Sequence, residues 1–281
     1  MIGGKEMSTP ILSYIKGNSF LHELSGTTKL ICFLSYSIAT MVTYDTRILF
    51  FMFLFGIFLF KLSKLKYSQI SFVLYFILFF LLINNIAIFL FSPLEGTEIY
   101  GTKHNLFHIG WHYDVTLEQL FYQLNITLKY FAVIPVGLLF ILTTNPSEFA
   151  SSMNRIGVSY KIAYSISIAL RYIPDVQRDF QEISFAQQAR GIDLSRNEKL
   201  FKRLKNASAI LLPLILSSLD RIDTISSAME LRGFGTREKR TWYNERPLKK
   251  NDIIAIIVIL ILVLLSILSI RINGGRFYNP F

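Results

Sequence analysis

Long apolar runs, with the charges gathered between them, limit what this chain can become. The runs are Lys29 to Tyr44, Ile48 to Leu62, Ile70 to Phe91, Leu117 to Thr144 and Ile253 to Ile270. A helix needs ~20 residues to cross a hydrocarbon core ~30 Å thick, so the first two runs are nearly long enough and the others suffice. Lipid offers no partner for backbone N–H and C=O groups, which restricts such runs to helices. The pattern predicts an all-α integral membrane protein with about five transmembrane helices. Charged residues make up 17% of the 281 positions, yet the net charge is +10. The basic residues flank apolar runs, so positive-inside topology accounts for them, and nucleic acid is not expected as a partner. The single Cys32 excludes a disulfide framework and a thiolate metal cluster.

In order, residues 1–27 read as a polar cytoplasmic leader without a cleavable signal, and 28–144 as transmembrane helices one to four. Asp45-Thr46-Arg47 is a turn between the first two spans, and Lys61, Lys64 and Lys66 mark the cytoplasmic side of the second. Asn84-Asn85 in the third span is read as a helix-to-helix hydrogen-bonding pair. Residues 92–116 are polar and slightly acidic and read as an external loop. His104, His108 and His112 stand four apart, a spacing suited to three metal ligands on one helical face. Gly110 and the surrounding aromatic residues favour instead an interfacial loop with no metal. Lys129 lies inside the fourth span, where it snorkels or pairs with a buried partner, and its long stem favours snorkelling.

Residues 145–250 read as a cytoplasmic helical domain opened by the helix-start signal Asn145-Pro146-Ser147-Glu148. Two apolar stretches in it, Ile162 to Leu170 and Ala207 to Leu219, are too short to span and are bracketed by charges. Within the domain a unit is written twice, 42 residues apart. Ile173, Phe180, Ile183, Ala186, Arg190 and Gly191 recur as Ile215, Ile222, Ile225, Ala228, Arg232 and Gly233. Apolar residues at three- and four-residue steps make each copy an amphipathic helix. Each copy ends in Arg-Gly. Glycine in that position is an ordinary helix stop, with the arginine beside bare carbonyls. The recurrence at one phase of one stripe also fits a docking function, since the planar guanidinium suits a carboxylate or a buried interface. The connector Arg196, Lys199, Lys202, Arg203 and Lys205 suits anionic headgroups. Residues 251–272 form the last span, behind the basic run Arg237 to Lys250, and 273–281 a tail that five spans place outside.

No phosphate-binding loop, nucleophile elbow or metal helix occurs, so no catalytic residue, cofactor or metal is expected, and energy for any transport must come from a partner. A polytopic secondary permease carrying its own substrate is the alternative, but it should show ionisable residues or broken helices at mid-membrane, and only Lys129 and Asn84-Asn85 qualify.

Ala189-Arg190-Gly191 and Leu231-Arg232-Gly233, with Arg171-Tyr172-Ile173-Pro174, Thr144-Asn145-Pro146, Ala186-Gln187-Gln188 and Ala228-Met229-Glu230, resemble the transmembrane T component of energy-coupling factor (ECF) transporters. The resemblance is strong over 116–240 and rests on hydropathy elsewhere. It implies a non-enzymatic energy-coupling subunit in the plasma membrane of a prokaryote, serving uptake of a vitamin or other micronutrient. It further implies two ABC-type ATPases, identical or related, and a small substrate-binding membrane protein, the S component. Ala189, Arg190, Gly191, Leu231, Arg232 and Gly233 would dock the ATPases, and Arg171, Pro174 and Pro213 would shape the coupling domain. Leu231 stands where alanine is common.

The charge pattern generates a topology test. With Cys32 replaced, impermeant thiol reagents applied to intact cells should modify Lys103→Cys and spare Lys199→Cys. The reverse labelling would invert the topology.

Overall fold

The computed structural model describes residues 14, 17, 19–65, 70–108, 113–192, 200–237, 241, 242 and 246–281. It divides into two compact units, residues 1–145 with 246–281, and residues 146–245. The first contains α1 (Phe20–Glu23), α2 (Gly26–Val42), α3 (Thr46–Leu62), α4 (Ser71–Phe91), α5 (Glu95–Tyr100), β1 (Asn105–His108), β2 (Asp114–Thr116) and α6 (Leu117–Thr143). The second contains α7 (Pro146–Arg155), α8 (Tyr160–Ala189) and α9 (Leu200–Leu231), after which α10 (Lys250–Ile272) rejoins the first. The protein is an all-α membrane protein: α4, α6 and α10 are long and apolar enough to cross a bilayer, and α2 and α3 are shorter helices of 17 residues each.

Small residues let the helices of the first unit approach closely, as expected where lipid supplies no hydrophobic drive between helices. A Cβ on Gly56 of α3 would stand 3.3 Å from the Ala132 carbonyl oxygen of α6. Tyr36, Ala39, Met52, Ala132, Val136, Ile259 and Leu262 form the core between α2, α3, α6 and α10. The Tyr36 hydroxyl donates to the Met52 carbonyl at 2.6 Å.

Two buried carboxylates tie α10 to its neighbours at both ends. At its start, Asp252 accepts from the Ser25 N–H at 2.8 Å and the Lys249 N–H at 2.7 Å. At its finish, Asp45, the N-cap of α3, accepts from Ser269 at 2.7 Å, Asn273 at 2.8 Å and the Arg47 guanidinium at 2.9 Å. Burial alone would raise the Asp45 carboxyl, but these donors outweigh it and hold the group below the usual carboxylate range.

Asn85 joins α4 to α6, its side-chain amide donating to Thr127 at 3.2 Å and Gln123 donating to its backbone carbonyl at 3.1 Å, whereas the buried Asn84 Oδ1 makes no hydrogen bond, so the expected helix-to-helix bonding holds for one amide of the pair. Lys129 does not snorkel. It is 5% exposed, donates to the Met41 carbonyl at 2.8 Å and lies 3.0 Å from the centre of the Tyr44 ring. The last turn of α2 leaves carbonyls without helical partners, and the ammonium fills one of them. Residues 92–116 hold more structure than a loop. α5 packs so tightly on α6 that a Cβ on Gly96 would stand 2.5 Å from the Glu118 carbonyl. β1 and β2 form an antiparallel hairpin. His104 bonds Glu118 at 2.6 Å and His108 bonds Asp114, each imidazole having a carboxylate of its own. The third position of that series, His112, lies outside the described residues, and among those described no metal-binding group occurs. Lys103 at 2.6 Å, with His108, lowers the Asp114 carboxyl. The leader also contributes, since α1 carries a buried His22 bonded to Ser19 at 2.7 Å.

In the second unit the two short apolar stretches lie within single helices of 30 and 32 residues, near the start of α8 and in the middle of α9. Pro174 and Pro213 lie inside them. A proline removes the N–H that would bond the carbonyl four residues back, so Pro213 frees the Ala209 carbonyl. The Gln187 amide of α8 donates to that oxygen at 3.2 Å. Further along, Arg221 of α9 bonds Asp179 of α8 at 2.6 Å. As the number rises on α8 it falls on α9, so the helices run antiparallel. Asp179 and Arg221 are themselves 42 apart, so corresponding positions of the two copies meet. Of the basic connector, Arg196 and Lys199 lie outside the described residues, while Lys202, Arg203 and Lys205 belong to the opening turns of α9 and not to a connection.

This arrangement predicts a coupling that can be measured. Gln187→Ala should cost about 1 kcal/mol of stability in the wild-type background and almost nothing beside Pro213→Ala, where the restored N–H takes the Ala209 carbonyl. Thermal unfolding of the two single variants and the double checks it, and equal costs in both backgrounds would refute the link.

Candidate functional site

The paired Arg-Gly ends are where the repeat delivers chemistry, and their geometry starts with the backbone. At the end of α8 the Gly191 N–H donates to Gln188 O at 2.9 Å and the Ile192 N–H to Gln187 O at 3.0 Å. At the end of α9 the Gly233 N–H donates to Glu230 O at 2.8 Å and the Phe234 N–H to Met229 O at 2.9 Å. Gly191 and Gly233 have φ of +82° and +64°. Each end is therefore a complete Schellman motif, with glycine in the left-handed conformation that other residues reach only under strain.

The same pair of bonds closes two other helices. Past α7, Gly157 bonds Asn154 O and Val158 bonds Met153 O; past α10, Gly274 bonds Arg271 O and Gly275 bonds Ile270 O. There the residue before the glycine is Ile156 or Asn273. The motif thus closes without an arginine, and the cap alone does not account for Arg190 and Arg232.

Both arginines are exposed, as are Ala189 and Leu231, the latter 90% so. Because α8 and α9 are antiparallel, the two Arg-Gly ends stand at opposite ends of the pair, roughly 30–40 Å apart at 1.5 Å per residue. The surroundings differ. Beyond the second glycine, Phe234 packs on Tyr164 and Tyr160 with ring centres 5.0 and 5.6 Å away, and Trp242 lies 5.7 Å from Tyr160. The Trp242 N–H donates to Asn154 at 3.1 Å. This aromatic cluster, absent from the sequence reading, anchors the chain just past Arg232. Its visible signals are the pair Tyr160 and Tyr164, one turn apart on a helix, and Phe234 standing 42 residues after Ile192.

The amphipathic stripes are not buried within the unit. Ile173, Phe180, Leu212, Ile215 and Ile222 are 41–62% exposed, and Ile183 and Ile225 are half-buried. A contiguous apolar face of this kind marks an interaction surface. Between the helices a groove of about 400 Å³ is lined by Ile168, Tyr172, Val176, Ile222 and Met229. Arg171 is exposed, with its guanidinium 6.0 Å from the Tyr172 ring.

A family of sequences described as cobalt transport proteins matches residues 17–243. The chain is 30% identical over 253 residues to the energy-coupling factor transporter transmembrane protein EcfT of Exiguobacterium sibiricum, covering 87% of this chain and 92% of the relative. The proteins of the same name from Streptococcus thermophilus and Clostridium kluyveri are each 31% identical, over 255 residues (87% and 92%) and 265 residues (91% and 94%). With its two capped repeat helices and its apolar spans, the chain belongs to this family, the transmembrane T components of ECF transporters.

Proposed function

We propose that this chain transmits ATP-driven closure of two ABC-type ATPases, identical or related, to a separate substrate-binding membrane protein, the S component. The complex would import a vitamin or other micronutrient across the plasma membrane of a prokaryote, with residues 145–250 on the cytoplasmic side. The chain itself is non-catalytic in this reading and needs no cofactor; hydrolysis belongs to the ATPases. The observation that carries it is the contrast among the caps: the same hydrogen bonds close α7 and α10 without an arginine, so closing the helix does not account for the exposed arginines of α8 and α9.

Each Arg-Gly end would enter a groove on one ATPase, Arg190 and Arg232 meeting carboxylates or bare carbonyls, with Ala189 and Leu231 against its wall. Standing at opposite ends of the pair, they suit two ATPase subunits. The exposed stripes of α8 and α9 would carry the S component. Pro174, Pro213 and Arg171 shape this unit, Pro213 through the bond it opens to Gln187. A permease carrying its own substrate finds less support, because Lys129 and Asn85 are occupied in joining helices.

Arg190→Ala and Arg232→Ala should each reduce ATPase copurification and substrate uptake, the double variant more than either single one, while membrane insertion is kept. Truncating one partner of a buried charge pair costs ~2–5 kcal/mol of binding. Losing a cation at a helix end costs only ~0.3–1 kcal/mol, so both caps should survive. Normal uptake by the double variant at normal expression would reduce both motifs to helix stops. Robust ATP hydrolysis by the purified chain alone would refute the non-catalytic reading.

A further inference from the structure

A second, unrelated feature lies in the first unit. Between α1, α2, α3, α6 and α10 is a cavity of about 240 Å³ whose wall is almost entirely carbon. Cys32, Tyr36 and Ala255 line its interior, and Lys29 stands in its wall with the ammonium bonded to the Thr143 carbonyl at 2.8 Å. It is not sealed. Phe20, Phe58, Leu62 and Ile254 line it and are also 39–58% exposed, so they form its mouth. Phe58 and Leu62 lie toward the C-terminal end of α3 and Ile254 in the opening turns of α10, the same end of the unit that carries the exposed Lys61, Lys64, Lys249 and Lys250.

We propose that this cavity holds one acyl chain of an anionic phospholipid, with its headgroup among Lys61, Lys64, Lys249 and Lys250. Water is excluded as the occupant by the carbon wall, since an apolar cavity stays dry unless two or more polar partners face the water. Interiors pack densely, and an engineered apolar cavity of ~150 Å³ stays dry and takes up benzene, so a larger carbon-lined void open to hydrocarbon is suited to accept it. Two helices of its wall, α6 and α10, are long and apolar enough to cross a bilayer, so that hydrocarbon is lipid tails. The lysines select the headgroup. Each basic residue near an anionic surface contributes a factor of about five in binding, and positive-inside topology places them in the cytoplasmic leaflet. The site is independent of the Arg-Gly ends and of the ATPases.

The test reconstitutes the full chain in nanodiscs of phosphatidylcholine containing a trace of phospholipid with a photoactivatable diazirine at the end of one acyl chain. One arm carries it on phosphatidylglycerol, the other on phosphatidylcholine. After irradiation, adducts are mapped by tandem mass spectrometry. The phosphatidylglycerol probe should mark Cys32, Phe33 and Ala255 above the lipid-facing Phe76 and Phe79 of α4. Ala255→Phe should abolish the cavity adducts and leave those on α4. Lys61→Gln with Lys250→Gln should bring the phosphatidylglycerol arm down to the level of the other. Native mass spectrometry of the unmodified chain provides a measurement independent of any variant, and one retained anionic phospholipid per chain is expected. Adducts confined to α4, equal labelling by the two headgroups, or a chain released without lipid would each overturn the proposal.

Discussion

A polar group surrounded by hydrocarbon needs a partner, and the first unit is arranged around meeting that need. Asp45 gathers donors from α3, α10 and the turn after α10; Asp252 binds the N–H that opens α2; Lys129 takes a carbonyl at the end of α2; Asn85 bridges to α6. Each of these groups belongs to one element and is satisfied by another. Separating the helices would leave several buried charges and amides unpaired at once, at ~1–3 kcal/mol or more for each. This matters most for α10, which is separated from α6 in sequence by the whole of the second unit. Fixing both of its ends compensates for the loss of short-range connection.

The second unit inverts the economy of the first. Its helices are long, and its apolar stripes lie open. A chain of this composition would aggregate as a free soluble domain. Faces left uncovered in this way are surfaces on which a partner or a membrane can settle. The stiff elements are then the ones that determine where the open faces point: the two Schellman caps, the Asp179–Arg221 pair and the Gln187 link.

Much of this could be seen in the residues. The spans, the helix start at Asn145-Pro146, the two capped repeat helices and the Asn85 contact depend on local pattern, which sequence carries directly. The burial of Lys129 is hidden from the sequence, because snorkelling is the general habit of a lysine in a span and nothing local shows that α2 ends beside it. The paired strands 105–108 and 114–116 are hidden for a similar reason: they comprise only seven residues, held by contacts of His104 with Glu118 and Lys103 with Asp114. The Gln187 link needs two helices to be placed before the glutamine and the proline can be associated. The arginines stand out by their recurrence, yet only the hydrogen bonds that close α7 and α10 show that such a cap forms without one.

The contact between corresponding residues of the repeat has a mechanical meaning. Eleven residues separate Asp179 from Arg190, and eleven separate Arg221 from Arg232. The ion pair therefore stands midway between the two ends, about 16 Å from each at 1.5 Å per residue. Forces of the same size applied at the two ends, in opposed directions, would form a couple centred on that point. With the helices cross-linked there and at Gln187, such a couple would turn the pair as one body and leave its centre where it was.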